Sequence, residues 1–460
     1  MQTGTTNMTT GSVRRVMISF ALPVFLSQLF QQLYNTADSV IVGNLLGKQA
    51  LAAVSSSASL LQLLTSLMVG VAMGAGVVIS RYFGAKEYKT VSRAIHTTVA
   101  FGLAAGVIMM AVGVVLSPVL LRWMGTAPDV MADSVSYFRS YFYGSIAVML
   151  YNVFTGIMNA LGDSRRPLYY LMFSSALNVG LDLLFIGGMG FGVGSAAVAT
   201  VISQAASAIL CFMHLRKPGT ISQLRIRDVR FDKPLMKEVV QMGLPTGVQN
   251  SMIAVGNVMV QSNINAFGSD AMAACGAYAK LQGFAFLPIM SFAMALTTFT
   301  SQNLGAKQYD RAKQGAKFGI FAMLILAEII GVLLTAFAPA LVRLFNTDPA
   351  VVGIAVTQAR IENLFFFLLA FSHAVAGVCR GAGKATVPML VMLSVWCVFR
   401  IIFITVGISI FHDIRVLFWG YPLTWCISSI IFLVYLTKSD WVHGFEHRHV
   451  HHRLRFFHHD

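Results

Sequence analysis

The residues whose types and spacing could do chemistry here are polar and ionisable groups set inside long apolar runs. Asp38 closes the stretch PVFLSQLFQQLYNTAD, Pro23 to Asp38, in which Gln28, Gln31 or Gln32, Asn35 and Asp38 recur every three to four residues. On a helix that spacing makes one polar stripe along an apolar cylinder, ending in a carboxylate. Asn178 and Asp182 stand four residues apart in another apolar run, so a helix there presents both on one face. If these runs cross a bilayer, each aspartate is an ionisable group at membrane depth, which is costly and marks a functional site by default. Carboxylates joined by amide or hydroxyl oxygens suit a hard monovalent cation and can equally hold a proton. The competing reading is that the aspartates only hydrogen-bond within a helical bundle. Acidic groups are rarely kept in spans for packing alone, which favours function.

The elements that must position these groups follow from composition. The 460 residues are 56% hydrophobic and only 11% charged, with a mean hydropathy of +0.71, far outside the soluble globular range. Twelve apolar runs reach the length needed to cross a bilayer: 16–43, 51–80, 94–121, 135–160, 167–187, 193–215, 239–266, 273–301, 315–341, 357–379, 387–410 and 416–437. Runs this long must be helices rather than barrel strands. The first follows Arg14 and Arg15 but is too long for the apolar core of a signal peptide, and is read as a retained span. The net charge of +15 does not indicate nucleic acid, because the basic residues fall in short segments between apolar runs. Most of the 33 Lys and Arg lie on the side of the amino terminus, which places both termini in the cytoplasm of a multi-pass plasma-membrane protein. Five cysteines without CxxC spacing indicate neither disulfides nor zinc. No cofactor and no enzymatic motif of the HExxH or GxSxG kind is present in the spans.

The chain also repeats itself. At an offset of 221 residues, Gly47 falls on Gly268, Gly84-Ala85-Lys86 on Gly305-Ala306-Lys307, Pro118 on Pro339, Arg139 on Arg360 and Gly162 on Gly383. The first helix fits with one residue of slip, Pro23 on Pro245 and Asn35 on Asn257. Six spans per half give a parallel repeat, hence two six-helix bundles related by a pseudo-twofold axis along the membrane normal, with the substrate path between them. The expected division is 1–222 for the first bundle, 223–238 for an amphipathic cytoplasmic linker, 239–442 for the second bundle and 443–460 for a His-rich basic tail. The repeat also acts as an internal control. Gln28 falls on Asn250 and Asn35 on Asn257, whereas Asp38 falls on Val260 and Asp182 on Phe403. The polar lining is duplicated and the acids are not.

GNLLGKQALAA, ISRYFGAKEY with its echo SQNLGAKQY, and MNALGDSRRP with its echo CRGAGKATVP resemble the multidrug and toxic compound extrusion (MATE) transporters over nearly the whole chain. The resemblance implies an antiporter that exports organic, often cationic compounds by alternating access, driven by protons or sodium. The closer likeness is to the DinF-like branch, in which the coupling site lies in the first bundle. It implies that Asp38, Asn178, Asp182, Thr200 and Asn152 bind the coupling ion and that Pro23 is the kink of the first helix; the duplicated polar stripe, Gln28 with Asn250 and Asn35 with Asn257, is read as a shared lining that serves substrate from both halves. Small organic molecules and membrane lipid are then the partners, and a monomer is the working unit. A flippase for lipid-linked saccharides is the alternative; it calls for a cationic cavity, for which Arg400 is the main residue inside a span. Glu362 is expected to pair with Arg400. Glu328 has no evident partner, and His373, opposite Asn152 in the repeat, could titrate near neutral pH or sit hydrogen-bonded in the core.

Overall fold

In a computed structural model the chain is helical throughout, and among the described residues no strand occurs. The structure describes residues 7–123, 125–126, 128–443 and 445. The His-rich tail at 443–460 therefore lies outside the described residues except for His443 and Phe445. The first half holds α1 (Val13–Leu45), α2 (Lys48–Gly84), α3 (Tyr88–Trp123), α4 (Met131–Tyr143), α5 (Ser145–Ala160), α6 (Arg165–Asp182) and α7 (Gly194–Leu215). The second holds α8 (Lys233–Asn265), α9 (Ser269–Gly305), α10 (Tyr309–Arg343), α11 (Pro349–Glu362), α12 (Phe366–Gly381), α13 (Thr386–Met392), α14 (Arg400–Phe411) and α15 (Ile414–Lys438). Ten helical runs among the described residues are long and apolar enough to cross a membrane, and α4 with α5, bent by 53°, makes an eleventh. The twelfth is α8, which has the length but is diluted by Gln241, Gln249, Asn250, Asn257 and Gln261. The all-helical membrane class expected from the sequence is the class observed.

Several expected single spans are broken, each for a local reason. Gly144 separates α4 from α5, and a Cβ there would come within 2.0 Å of Val201 Cγ1, so only glycine lets α7 approach the break. The corresponding break between α11 and α12 is a 3₁₀ turn, Asn363–Phe365. It packs so closely on α10 that a Cβ on Gly331 would lie 2.1 Å from Asn363 O. α6 continues from Asp182 into a π-helical turn, Leu183–Gly188, and α13 passes through another, Leu393–Phe399, before α14 begins at Arg400. Such turns carry one extra residue per hydrogen-bonded ring and are frequent at functional positions. All five cysteines are unpaired, and four are buried.

The residues form two compact units, and the two proline-bearing first helices change company at their prolines. Among the described residues one unit comprises Asn7 and Leu22–Gly247, the other Met8–Ala21 and the residues from Val248 onward. The division in α1 falls next to Pro23 and that in α8 two residues after Pro245. Proline removes one rung of the helical hydrogen-bond ladder, so these are the points where each helix is freest to redirect. In the first unit the foot of α8 packs on α2 through two glycine pairs. A Cβ on Gly70 would lie 2.2 Å from Gly247 N, and one on Gly74 would lie 2.3 Å from Gly243 N. Close backbone approach of this kind is how helices gain packing energy where lipid removes the hydrophobic drive. Polar ties fix the same foot: Arg93 pairs with Asp232, and the Tyr82 hydroxyl donates to Glu238 Oε1 at 3.0 Å. Around them Val71, Ile79, Ile95, Phe154, Leu235 and Met242 share one apolar cluster.

Candidate functional site

Four of the five residues expected to bind the coupling ion meet in the first unit. α1 supplies Asp38, α6 supplies Asn178 and Asp182 one turn apart, and α7 supplies Thr200. Their exposures are 7%, 1%, 0% and 9%, so the cluster is closed off from its surroundings. Asn178 Nδ2 donates to Thr200 Oγ1 at 3.3 Å, and that hydroxyl donates in turn to Ala196 O at 3.1 Å. The Asp38 and Asp182 carboxyls lie within hydrogen-bonding reach of one another. Asn178 Oδ1, Asp38 Oδ1 and both Asp182 oxygens are buried and accept no protein N–H or hydroxyl donor. Buried acceptors normally find donors, so a group of them left over asks for a proton or a cation.

The electrostatics sharpen this. Two carboxyls in contact inside a low-dielectric bundle repel when both are ionised. A proton on one of them, or a monovalent cation held between them, removes the repulsion. The groups present, two carboxylates, one amide oxygen and one hydroxyl, fit either occupant. Among the described residues no basic side chain pairs with Asp38 or Asp182.

Asn152 stands apart from the group. Its amide donates to Val148 O of its own helix at 2.8 Å, and no hydrogen bond joins it to the aspartates or to Asn178. Two residues that spacing did not single out belong with the cluster. Tyr34, one turn before Asp38, accepts from Gln31 Nε2 at 2.9 Å and from Gln204 Nε2 at 3.3 Å, and interacts electrostatically with both aspartates. Gln204 stands one turn after Thr200 on α7, and its Oε1 is another buried acceptor without a donor. The available signal was the four-residue step, Tyr34 to Asp38 and Thr200 to Gln204, matching the step from Asn178 to Asp182. Of the expected cavity residues, Asn35 and Asn257 are exposed, and Gln28 and Asn250 are half-buried.

The second unit puts aromatic rings where the first has these polar pairs. Asn178 and Asp182 correspond to Phe399 and Phe403, which stack at 6.2 Å, and Thr200 and Gln204 to Tyr421 and Trp425, 6.0 Å apart. Val260, the counterpart of Asp38, is 3% exposed in an apolar cluster with Ile264, Ile404 and Phe418, against which Phe403 packs. The expected Glu362 to Arg400 ion pair is not made. Glu362 accepts from Gln358 Nε2 at 2.8 Å and Gln282 Nε2 at 3.3 Å. Arg400 donates to Thr424 Oγ1 at 2.7 Å and lies 4.4 Å over the Tyr421 ring and 5.5 Å from the Trp396 ring. Neutral amides and π faces satisfy each charge separately, which removes the need for direct contact. Glu328 reaches the backbone N–H of Phe367, at the positive end of α12. His373 is buried edge-on against Phe286 at 4.9 Å and Trp396 at 5.3 Å.

Comparison with known proteins agrees with this architecture. The MatE family model matches twice, over residues 23–184 and 245–406, the two matches covering most of the chain and falling on its two repeats. A probable multidrug resistance protein of Bacillus subtilis, YoeA, is 29% identical over 92% of this chain and 93% of its own length. A probable multidrug resistance protein NorM of Thermotoga maritima is 27% identical over 84% and 83%. The multidrug export protein MepA of Staphylococcus aureus is 23% identical over 81% and 82%. Among solved structures, an outward-facing multidrug resistance MATE family transporter of the MOP superfamily superposes with a TM-score of 0.88 at 22% identity, covering 95% of this chain and 97% of that one. By the doubled family match and the fold, the chain belongs to the MatE family of transporters.

Proposed function

We propose that the protein exports organic, often cationic drugs or toxins in exchange for protons or sodium, with coupling confined to the first unit. The observation that carries the reading is the buried contact of Asp38 with Asp182, surrounded by oxygens that lack donors. The names of the relatives, multidrug resistance and multidrug export proteins, support the cargo class. Uptake of the ion by Asp38 and Asp182 neutralises the pair and draws α1 toward α6; release lets the carboxylates separate and α1 relax about Pro23. Asn178 and Thr200 orient the site, and Tyr34 with Gln204 bounds it. The lining residues Gln28, Asn35, Asn250 and Asn257 contact cargo. Exchange is obligatory because cargo and ion favour opposite conformations, which is a coupling free energy between two sites. The basic segments on the side of the termini support a cytoplasmic location for both ends, and the protein acts as a monomer of two six-span bundles, 1–222 and 239–442, joined by 223–238.

The test is uptake of ethidium into inverted vesicles under an imposed pH gradient and, separately, an imposed sodium gradient. Stimulation by one of them identifies the ion, and no response to either contradicts antiport. Flipping of a lipid-linked saccharide is disfavoured by the surroundings of Arg400. Arg400 is 5% exposed and its guanidinium is already engaged by Thr424, Tyr421 and Trp396, so it is not free for a phosphate.

A further inference from the structure

Each unit carries an apolar groove at a repeat-related position, and the two grooves differ in charge. In the first unit a groove of about 690 Å³ runs among α3, α5 and α7, with Leu103, Leu150 and Phe212 in its wall and no charged side chain among its described lining. In the second a groove of about 750 Å³ uses the equivalent positions of α10 and α12, Leu324 for Leu103 and Phe371 for Leu150, and adds Arg14, Lys313 and Lys317. An apolar trough on a membrane protein is filled by acyl chains. Three cations at one end of it ask for something more specific.

The cations are placed by two elements of the same unit. Lys313 and Lys317 are one turn apart on α10, so they share a face, and both are exposed. Arg14 is held in position because the foot of α1 is strapped to the unit. Arg311 donates to Gly11 O at 2.7 Å, Thr10 O at 3.0 Å and Met8 O at 3.1 Å, and Asn303 Nδ2 also donates to Met8 O, at 3.2 Å. The Arg14 guanidinium stands 5.9 Å over the Phe318 ring. Among the described residues none of the three forms an ion pair with a carboxylate. From Lys313 to Leu324 the groove follows α10 for about 16 Å at 1.5 Å per residue, close to one leaflet's half of a hydrocarbon core about 30 Å thick. Trp441, just beyond the end of α15 and 7% exposed, lines the groove as well, and tryptophan favours the level of the headgroups.

We infer that this groove binds an anionic phospholipid, with its phosphate on Arg14, Lys313 and Lys317 and an acyl chain along Phe321, Leu324 and Phe371. The lipid ties the foot of α1 to α10 beside the backbone strap made by Arg311. The repeat-related groove, lined without charge, takes acyl chains with no preference for headgroup.

The experiment is native mass spectrometry of the full chain in detergent with phosphatidylglycerol or phosphatidylcholine of matched acyl chains. The wild type should retain phosphatidylglycerol preferentially. Combined Arg14→Gln, Lys313→Gln and Lys317→Gln should reduce that preference on the order of a hundredfold, from about 1 kcal/mol per basic residue at an anionic surface. Combined Arg225→Gln, Arg227→Gln and Arg230→Gln, which removes the same charge from the other unit, should leave it intact. An unchanged preference in the first triple variant, or an equal fall in both, overturns the proposal. Should the first variant fail to fold, the wild type still decides. Lipids brominated on the acyl chain should quench the Trp441 fluorescence, taken as the difference from Trp441→Phe, more strongly as phosphatidylglycerol than as phosphatidylcholine. Equal quenching by the two overturns it.

Discussion

Asp38 and Asp182 act directly on one another, so neither can be altered without changing what the other needs. Asp38→Asn should leave the bundle folded, since the amide is nearly isosteric, and should cut gradient-driven export at least a hundredfold, to background, in a vesicle assay, the order expected when a proton- or charge-carrying group is removed. Thr200→Val keeps the volume but deprives Asn178 of its acceptor. We expect export to fall severalfold, with the apparent affinity for the driving ion weakened more than the maximal rate, the cost of one lost hydrogen bond being about 1 kcal/mol. Both aspartates were legible in the sequence because carboxylates in apolar runs are rare. Tyr34 and Gln204 were not, because tyrosines and glutamines in spans usually only glue helices, and their membership rests on which faces of α1 and α7 point inward. Asn152, which the family resemblance offers as a further ligand, donates its amide back to Val148 O of its own helix in this structure.

Helices set the tolerances within which those residues act. The paired glycines of α2 and α8 leave no room for a side chain, so Gly74→Val should lower the thermal midpoint of the purified protein, with a cost on the order of 2 kcal/mol or more, the range seen for overpacking. Val on Gly156, where no atom lies within 4 Å of a Cβ, should have little effect in the same melting experiment. Twelve helical runs could be read from apolar length alone, and the prolines at 23 and 245 marked where α1 and α8 could bend. Apolar length could not reveal that these two helices change company there, because a proline signals freedom and not the partner it leads to. Nor could it reveal the π-helical turns after Asp182 and before Arg400, since one extra residue per turn leaves no trace in hydropathy.

At the scale of the molecule the internal repeat carries the functional argument. Duplication kept many glycines, prolines and charges in register, Gly47 with Gly268, Pro118 with Pro339 and Lys86 with Lys307 among them, which preserves fold. It kept no acid at Val260 or Phe403, where the second unit builds stacked aromatic rings and an apolar cluster instead. That asymmetry was visible in sequence as a pair of mismatches. The aromatic residues at the equivalent positions, Phe399, Phe403, Tyr421 and Trp425, follow from the repeat; that their rings pack on one another where the first unit has polar i,i+4 pairs needed coordinates. The second unit has its own buried acid, Glu362, satisfied by the amides of Gln282 and Gln358, and we propose no part for it in coupling. The most direct measurement is therefore gradient-driven export of ethidium by purified protein in liposomes, comparing Asp38→Asn, Asp182→Asn and Glu362→Gln. The first two should lose their response to the gradient while Glu362→Gln retains it at near the wild-type rate. Export still driven by the gradient in Asp38→Asn and Asp182→Asn, but lost in Glu362→Gln, would place coupling in the other unit and contradict the proposal.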